Sequence, residues 1–313
     1  MTTSKLSNMK KDFFPLSIFL LLVYLSSCNN SNTSATAQNE IQAAPEVKAV
    51  FINGDSLHYI DVGKGDPVVF VHGGYGDYRT WGAQMDTFAK NHRVIAYSRR
   101  YFYPNNQIVN DSTDFSITLQ VKDLVEFIKA LNLQPVHVVG HSYGAFTALL
   151  ATMDHPELVR SLTLAEPPVN SLLGNVPGGD TLLNNWDAKF VPVTEAFKNK
   201  GTEKGLEAFF SVVTGDSLFF RSIPKWQREI MMANTAARYE FAPVTCDDVK
   251  KIKTPVLLLH GTRSPQVFIS IIDELNRCLS NKEKASLLNT SHMMEHENPT
   301  EFNKVVLGFI DKH

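Results

Sequence analysis

The stretch Val136-His137-Val138-Val139-Gly140-His141-Ser142-Tyr143-Gly144-Ala145-Phe146 decides how this chain folds. A short apolar run ends on two glycines that bracket a serine, and an apolar stretch from Ala145 to Met153 follows. The run reads as a strand covered on both faces, and the stretch, apolar nearly all round, as a buried helix. Between them Gly140 to Gly144 spells G-x-S-x-G in strand–turn–helix context. The turn required there is so sharp that side chains at 140 and 144 would clash. It lifts the Ser142 hydroxyl clear of the sheet. It also sets the unpaired N–H groups of a helix N-terminus beneath any oxyanion forming nearby.

The same alternation runs outward in both directions. Val68–Val71, Val94–Tyr97, Leu162–Ala165 and Val256–Leu259 are short, nearly continuous apolar runs. Such strands belong to a parallel sheet with helices on both faces. Val47–Ile52 and Leu57–Val62, joined through Asn53-Gly54-Asp55, read as an opening hairpin. Ile117, Val121, Leu124, Ile128 and Leu131 share one helical face. The last helix starts at Asn298, with Pro299 at its first turn and Glu301 at the third position, and buries Phe302, Val305, Val306, Phe309 and Ile310. The expected fold is α/β, with a mostly parallel, doubly wound sheet. Between Pro167 and Val244 the alternation breaks, and Phe, Trp186, Trp226, Met231 and Met232 recur with helical spacing. That stretch, about 168–244, reads as an inserted helical lid. Its apolar residues either line an acyl pocket or pack the lid onto the sheet.

Here the chain resembles the α/β-hydrolase family. The resemblance implies that Ser142 is the nucleophile. Val71-His72-Gly73-Gly74 resembles the family's His-Gly motif, which implies an oxyanion hole built from the backbone N–H groups of Gly74 and Tyr143. Ser291 to Pro299 resembles the family loop that carries the catalytic base. His292 stands five residues before Glu297 and seven before Pro299, as in that pattern, and His296 is its rival. The triad acid departs from the pattern. Relatives place an Asp three residues after the glycine that follows the strand Val256–Leu259, and here that position is Ser264. The next carboxylate, Asp273, falls inside the following helix. Glu166 ends the strand Leu162–Ala165, and some family members carry their acid there, so Glu166 is expected to orient His292. His141 is expected to pack away from the nucleophile. His58, His137, His155 and His260 read as core or solvated. Arg99 and Arg100 could meet a substrate carboxylate, but arginines that hold a loop are commoner, and neither is placed in the site.

The chemistry this implies is acyl transfer to water from an ester, thioester or lactone, through an acyl-enzyme on Ser142. Amide, peptide or carbon–carbon cleavage on the same fold is the alternative. A non-catalytic, membrane-anchored binding protein is the rival from another class. No cofactor is implied, and no Cys/His cluster with zinc spacing occurs. The chain has 313 residues with a formal net charge of −2, which suits one large domain and offers no basic face to a nucleic-acid backbone.

The first segment reads as separate from the fold. Lys10 and Lys11 precede Phe13–Leu25, an apolar run short for a bilayer span but fitting a signal peptide of residues 1–27. Leu25-Ser26-Ser27-Cys28 resembles the bacterial lipobox. That resemblance implies cleavage before Cys28, a diacylglycerol on its sulfur, and an exported protein anchored to a membrane of the cell envelope. Each buried methylene adds about 0.8 kcal/mol to such anchoring. Residues 28–44, rich in Asn, Ser, Thr, Ala and Gln, read as a flexible tether to a domain over 45–313. Export permits a Cys246–Cys278 disulfide, but spacing alone does not bring the two together.

Overall fold

Asn53 and Gly54 take the left-handed conformation, with φ of 46° and 77°, and so close a two-residue turn between β1 (Lys48–Ile52) and β2 (Asp55–Gly63). This is the predicted hairpin, one residue shorter in its turn. The computed structural model describes residues 45–105, 109–236 and 238–313. The leader, Cys28 and the tether therefore lie outside the described residues.

The sheet continues through β3 (Asp66–Val71), β4 (His92–Tyr97), β5 (Val136–His141), β6 (Val159–Ala165), β7 (Val256–Gly261) and β8 (Lys282–Leu287). Its order is β1-β2-β4-β3-β5-β6-β7-β8. The pairs β1–β2 and β2–β4 are antiparallel, and all the others are parallel. The chain order reverses between β3 and β5. The crevice at such a switch point is where open α/β sheets bind ligands, and the loops after β3 and β5 carry Gly74 and Ser142.

Each central strand is apolar on both faces because each face is covered. Helices Ile117–Ala130, Tyr143–Asp154 and Gln266–Cys278 pack on one side with Val69, Val71, Val138 and Leu164. Gly82–Phe88 and Pro299–Ile310 pack on the other with Phe70, Val94, Val139 and Leu257. The Asn298 side chain caps the last helix by accepting from the Glu301 N–H at 3.2 Å, as its sequence predicts. β8, Lys-Glu-Lys-Ala-Ser-Leu, is not among the predicted strands. It is an edge strand, mostly exposed and charged, so it lacks the apolar signature of its neighbours.

Between β6 and β7 the chain leaves the sheet. It forms helices Gly179–Ala188, Val191–Lys200, Thr202–Thr214, Phe219–Ser222 and Lys225–Ala233. It re-enters through Cys246–Val249, and a disulfide joins Cys246 to Cys278 at the end of Gln266–Cys278, with Cα atoms 5.3 Å apart. No helix among the described residues is long and apolar enough to cross a membrane.

Candidate active site

Ser142 sits at the top of β5 with φ 52° and ψ −125°, a conformation that a residue with a Cβ adopts only when its surroundings enforce it. Two contacts enforce it. Its N–H donates to the Ala165 carbonyl at 2.8 Å. Its turn is wedged where no further atom fits: a Cβ on Gly144 would stand 2.2 Å from the Val71 carbonyl oxygen, and one on Gly140 would stand 2.5 Å from the Ala145 Cα. The first turn of helix Tyr143–Asp154 therefore packs directly against the end of β3, and its N-terminus opens beside Ser142.

Glu166, one residue beyond β6, is also forced to positive φ, at 47°, and is fully buried. Its Oε2 lies 2.6 Å from His292 Nδ1, and its Oε1 accepts from the Gly261 N–H at 2.8 Å. Gly261, the last residue of β7, thus supplies a hydrogen-bond donor to the carboxylate at the end of the neighbouring strand. Ser264 itself is buried, and its hydroxyl has no partner among the described residues. Asp273 lies elsewhere, paired with Lys284 on the surface.

The His292 ring lies flat against Phe268, with centroids 4.1 Å apart and planes 9° from parallel. The Ser291 N–H donates to Glu297 Oε2, and Glu297 Oε1 takes a hydrogen bond from Arg263 at 3.1 Å, so the Glu-x-Pro carboxylate braces the loop. With Glu166 on Nδ1, the Nε2 edge of His292 is the one left for other work. His292 and Ser142 line one cavity of about 480 Å³ together with Gly74, Tyr143 and Tyr239. His296 does not line it. It turns to Gln227, 3.2 Å from its Nδ1, beside a separate cavity of about 20 Å³.

The loop after β3 is held by a residue that the sequence reading left outside the site. Arg99 is 1% exposed. Its Nε donates to the His72 carbonyl and its Nη2 to the Gly73 carbonyl, each at 3.0 Å. The Arg99 N–H donates to His72 Nε2 at 3.0 Å, so His72 carries its proton on Nδ1 and donates to the same Gly73 carbonyl at 2.9 Å. Burial, with the Arg99 charge beside it, keeps the His72 imidazole neutral well below its usual range. In a trans peptide the C=O and N–H point in opposite directions. Two donors on the Gly73 oxygen thus turn the Gly74 N–H away from Arg99. The Tyr75 N–H is taken by the Tyr239 hydroxyl at 3.1 Å. Arg100 instead pairs with Asp123 at 2.6 Å and Asp55 at 2.9 Å, fastening the first hairpin to helix Ile117–Ala130.

His141 is buried, as expected, but does more than fill space. Its Nε2 lies 2.8 Å from the His292 carbonyl oxygen. Of the inserted apolar residues, Trp186, Phe190, Phe197 and Phe209 line the large cavity, and Met231 lines the small one. Trp226 and Met232 are exposed.

A three-layer α/β sandwich with a serine turn at its switch point, facing a carboxylate–imidazole pair, defines a class of hydrolases. A family model of the alpha/beta hydrolase fold matches residues 66–299. The chain belongs to that family and is a hydrolase. It is 22% identical over 269 residues to the (E)-2-((N-methylformamido)methylene)succinate hydrolase of Acinetobacter baylyi, covering 83% of this chain and 95% of that one. Among solved structures, the N-acyl homoserine lactone degrading enzyme Est816 matches with a TM-score of 0.65 at 21% identity, over 84% of this chain and 100% of its own. The carboxylesterase CesB of Bacillus subtilis matches with a TM-score of 0.68 at 17% identity, over 87% and 93%.

Proposed function

We propose that the protein hydrolyses uncharged carboxylic esters, thioesters or lactones with an apolar acyl portion, through an acyl-enzyme on Ser142. The observation that carries this reading is the juxtaposition at one cavity of Ser142, on its strained turn, and His292, held by Glu166 at 2.6 Å. His292 Nε2 takes the Ser142 proton as Oγ bonds to the carbonyl carbon. The Gly74 and Tyr143 N–H groups receive the oxyanion. The proton then passes from His292 to the leaving oxygen or sulfur as that bond breaks. Water repeats the sequence, with His292 as base, and frees the acid. Glu166 holds the imidazole tautomer and offsets the imidazolium charge.

The substrate class follows from the cavity wall. Trp186, Phe190, Val193, Phe197, Phe209 and Phe241 dominate it, and among the described residues no Lys or Arg lines it and Asp187 is the one carboxylate that does. A wall without a cation offers a substrate carboxylate nothing to offset desolvation. The Acinetobacter relative, by contrast, is named for a succinate. The full chain in detergent, assayed on matched p-nitrophenyl esters, tests the reading. Neutral hexanoate should turn over and Ser142→Ala should not. A hexanoate bearing a terminal carboxylate should react far more slowly. Turnover by Ser142→Ala, or equal rates on the two esters, overturns the respective part.

The same reading includes export and anchoring through an acylated Cys28. The Cys246–Cys278 disulfide supports it, since such bonds persist in oxidising compartments. Mass spectrometry of the N-terminal peptide from cells should find it beginning at Cys28 and carrying acyl chains. A peptide that retains residues 1–27 would refute the anchor.

A further inference from the structure

Behind the His292 loop lies a second carboxylate–imidazole pair that the proposed reaction does not use. Glu295 is 0% exposed, and neither of its oxygens accepts a hydrogen bond from the described residues. Its Oε1 stands 3.2 Å from His141 Nδ1 and 3.7 Å from His296 Nε2. These groups border the cavity of about 20 Å³ beneath Gly73–Gly76, which has room for about one water molecule. A single water does not replace the hydration shell of a carboxylate, so an ionised Glu295 would be costly there.

The hydrogen bonds of His141 settle where protons can be. A carbonyl oxygen only accepts, so Nε2, 2.8 Å from the His292 oxygen, carries a hydrogen. A neutral His141 ring then presents a lone pair on Nδ1 toward Glu295. Two lone pairs at 3.2 Å repel, so one proton must be shared by the pair, either on the carboxyl or on the ring. In both arrangements the pair has no net charge. Burial decides between them: it pushes the Glu295 carboxyl up and brings the His141 imidazole down to about 3, which puts the proton on Glu295. The other titratable groups acting on Glu295 are His296, His292 and Glu166.

We propose that Glu295 is an un-ionised carboxyl that donates to His141 and, through His141 and the His292 carbonyl, positions the catalytic loop without setting a second negative charge beside His292. This rests on His292 acting as the base. Glu166 is then the one carboxylate to which the imidazolium responds. A group that acts by donating a hydrogen bond is replaceable by an amide, whereas one that acts by its charge is not.

The test compares the full chain with Glu295→Gln and Glu295→Ala. It reads kcat, KM and the pH profile of kcat/KM on one neutral ester. Glu295→Ala should lower kcat about tenfold or more with KM little changed, since the cavity wall is intact. Glu295→Gln should restore most of that loss and leave the acid limb of the profile where it stands in the parent. A limb displaced to lower pH in Glu295→Gln would mean that an ionised carboxylate had been removed, and would overturn the proposal. So would parent-like turnover in Glu295→Ala. Infrared spectroscopy of the parent at neutral pH gives an answer even where a variant fails to fold. A band from an un-ionised buried carboxylic acid is expected, and its absence refutes the protonated state. Failure of the hydrolase reading looks different, because Ser142→Ala would then retain activity whatever Glu295 does.

Discussion

At the residue scale the site turns on a carboxylate moved one strand along the sheet. Ser264, where the family resemblance implies an acid, has no charge to offer, while Glu166 reaches His292 from the end of β6 and is itself held by the Gly261 N–H. Glu166→Gln should therefore lower kcat/KM by about 10³-fold or more, the scale seen when a triad carboxylate becomes an amide, while Ser264→Ala leaves turnover near the parent value. Ester hydrolysis rates of the two variants, measured side by side, check this. Arg99 gives a second prediction. Removing the guanidinium frees the Gly73 carbonyl, so the Gly74 N–H loses its fixed direction. Arg99→Met should cost about 10²-fold in kcat, comparable to loss of an oxyanion donor, with a smaller change in KM. A loss confined to KM would show that Arg99 acts on substrate binding instead. Glycines 140 and 144, the serine and the base loop announce themselves in the sequence because sterics and spacing are local. Arg99 and Glu295 do not, since each acts through a partner that the fold brings near.

At the scale of elements, the inserted helices supply much of the cavity wall. Phe209 projects from Thr202–Thr214 into the cavity wall beside Phe190 and Tyr75, with ring centroids 6.1 Å and 4.7 Å away. Phe209→Ala should enlarge the cavity and raise the ratio of kcat/KM for decanoyl over butanoyl esters. A ratio unchanged from the parent would place the acyl chain elsewhere. The foot of the insertion is fixed by the Cys246–Cys278 disulfide. A loop of that size contributes about 2–4 kcal/mol by the chain-entropy argument, and about 2–4 °C per kcal/mol follows for a domain this large. Paired Cys246→Ser and Cys278→Ser substitutions should lower Tm by about 5–15 °C on those figures, read by differential scanning calorimetry. The insertion was legible as helical and apolar. Which aromatics face the cavity was not, because a pattern that suits lining suits packing equally well.

At the scale of the whole molecule, buried neutral histidines make stability depend on pH. Burial lowers His72 and His141, and lowers His137, hydrogen-bonded to Ser161 at 2.7 Å, to about 4. The unfolded chain protonates these residues near 6.5, while the folded one keeps them neutral. Their contribution is present in full above pH 6.5 and is lost as pH falls, toward about 4 for His137 and about 3 for His141. Each costs about 1.4 kcal/mol per pH unit over its window. Glu295, raised from 4.5, acts in the opposite sense: its contribution is present below that value and is lost as pH rises, so it offsets one histidine in part. The urea midpoint should thus drop between pH 7 and pH 5, and His137→Gln should flatten the decline. A midpoint independent of pH over that range would mean that these rings are not held neutral.

The alternation of buried strands and helices, the serine turn, the His292 loop and the family are legible in the amino-acid order alone. Those properties rest on short-range sterics, on the two-face burial of parallel strands and on spacing along the chain. The order also singles out Glu166, by placing a carboxylate at the end of the strand beside the nucleophile. The folded arrangement shows what that order leaves open: that Glu166 meets His292 Nδ1, that Cys246 meets Cys278, that Arg99 pins the Gly73 carbonyl, and that polar β8 joins the sheet at its edge. Each joins residues far apart in the chain, and contacts of that kind are set by the register of neighbouring strands and loops, which leaves no local trace in the amino-acid order.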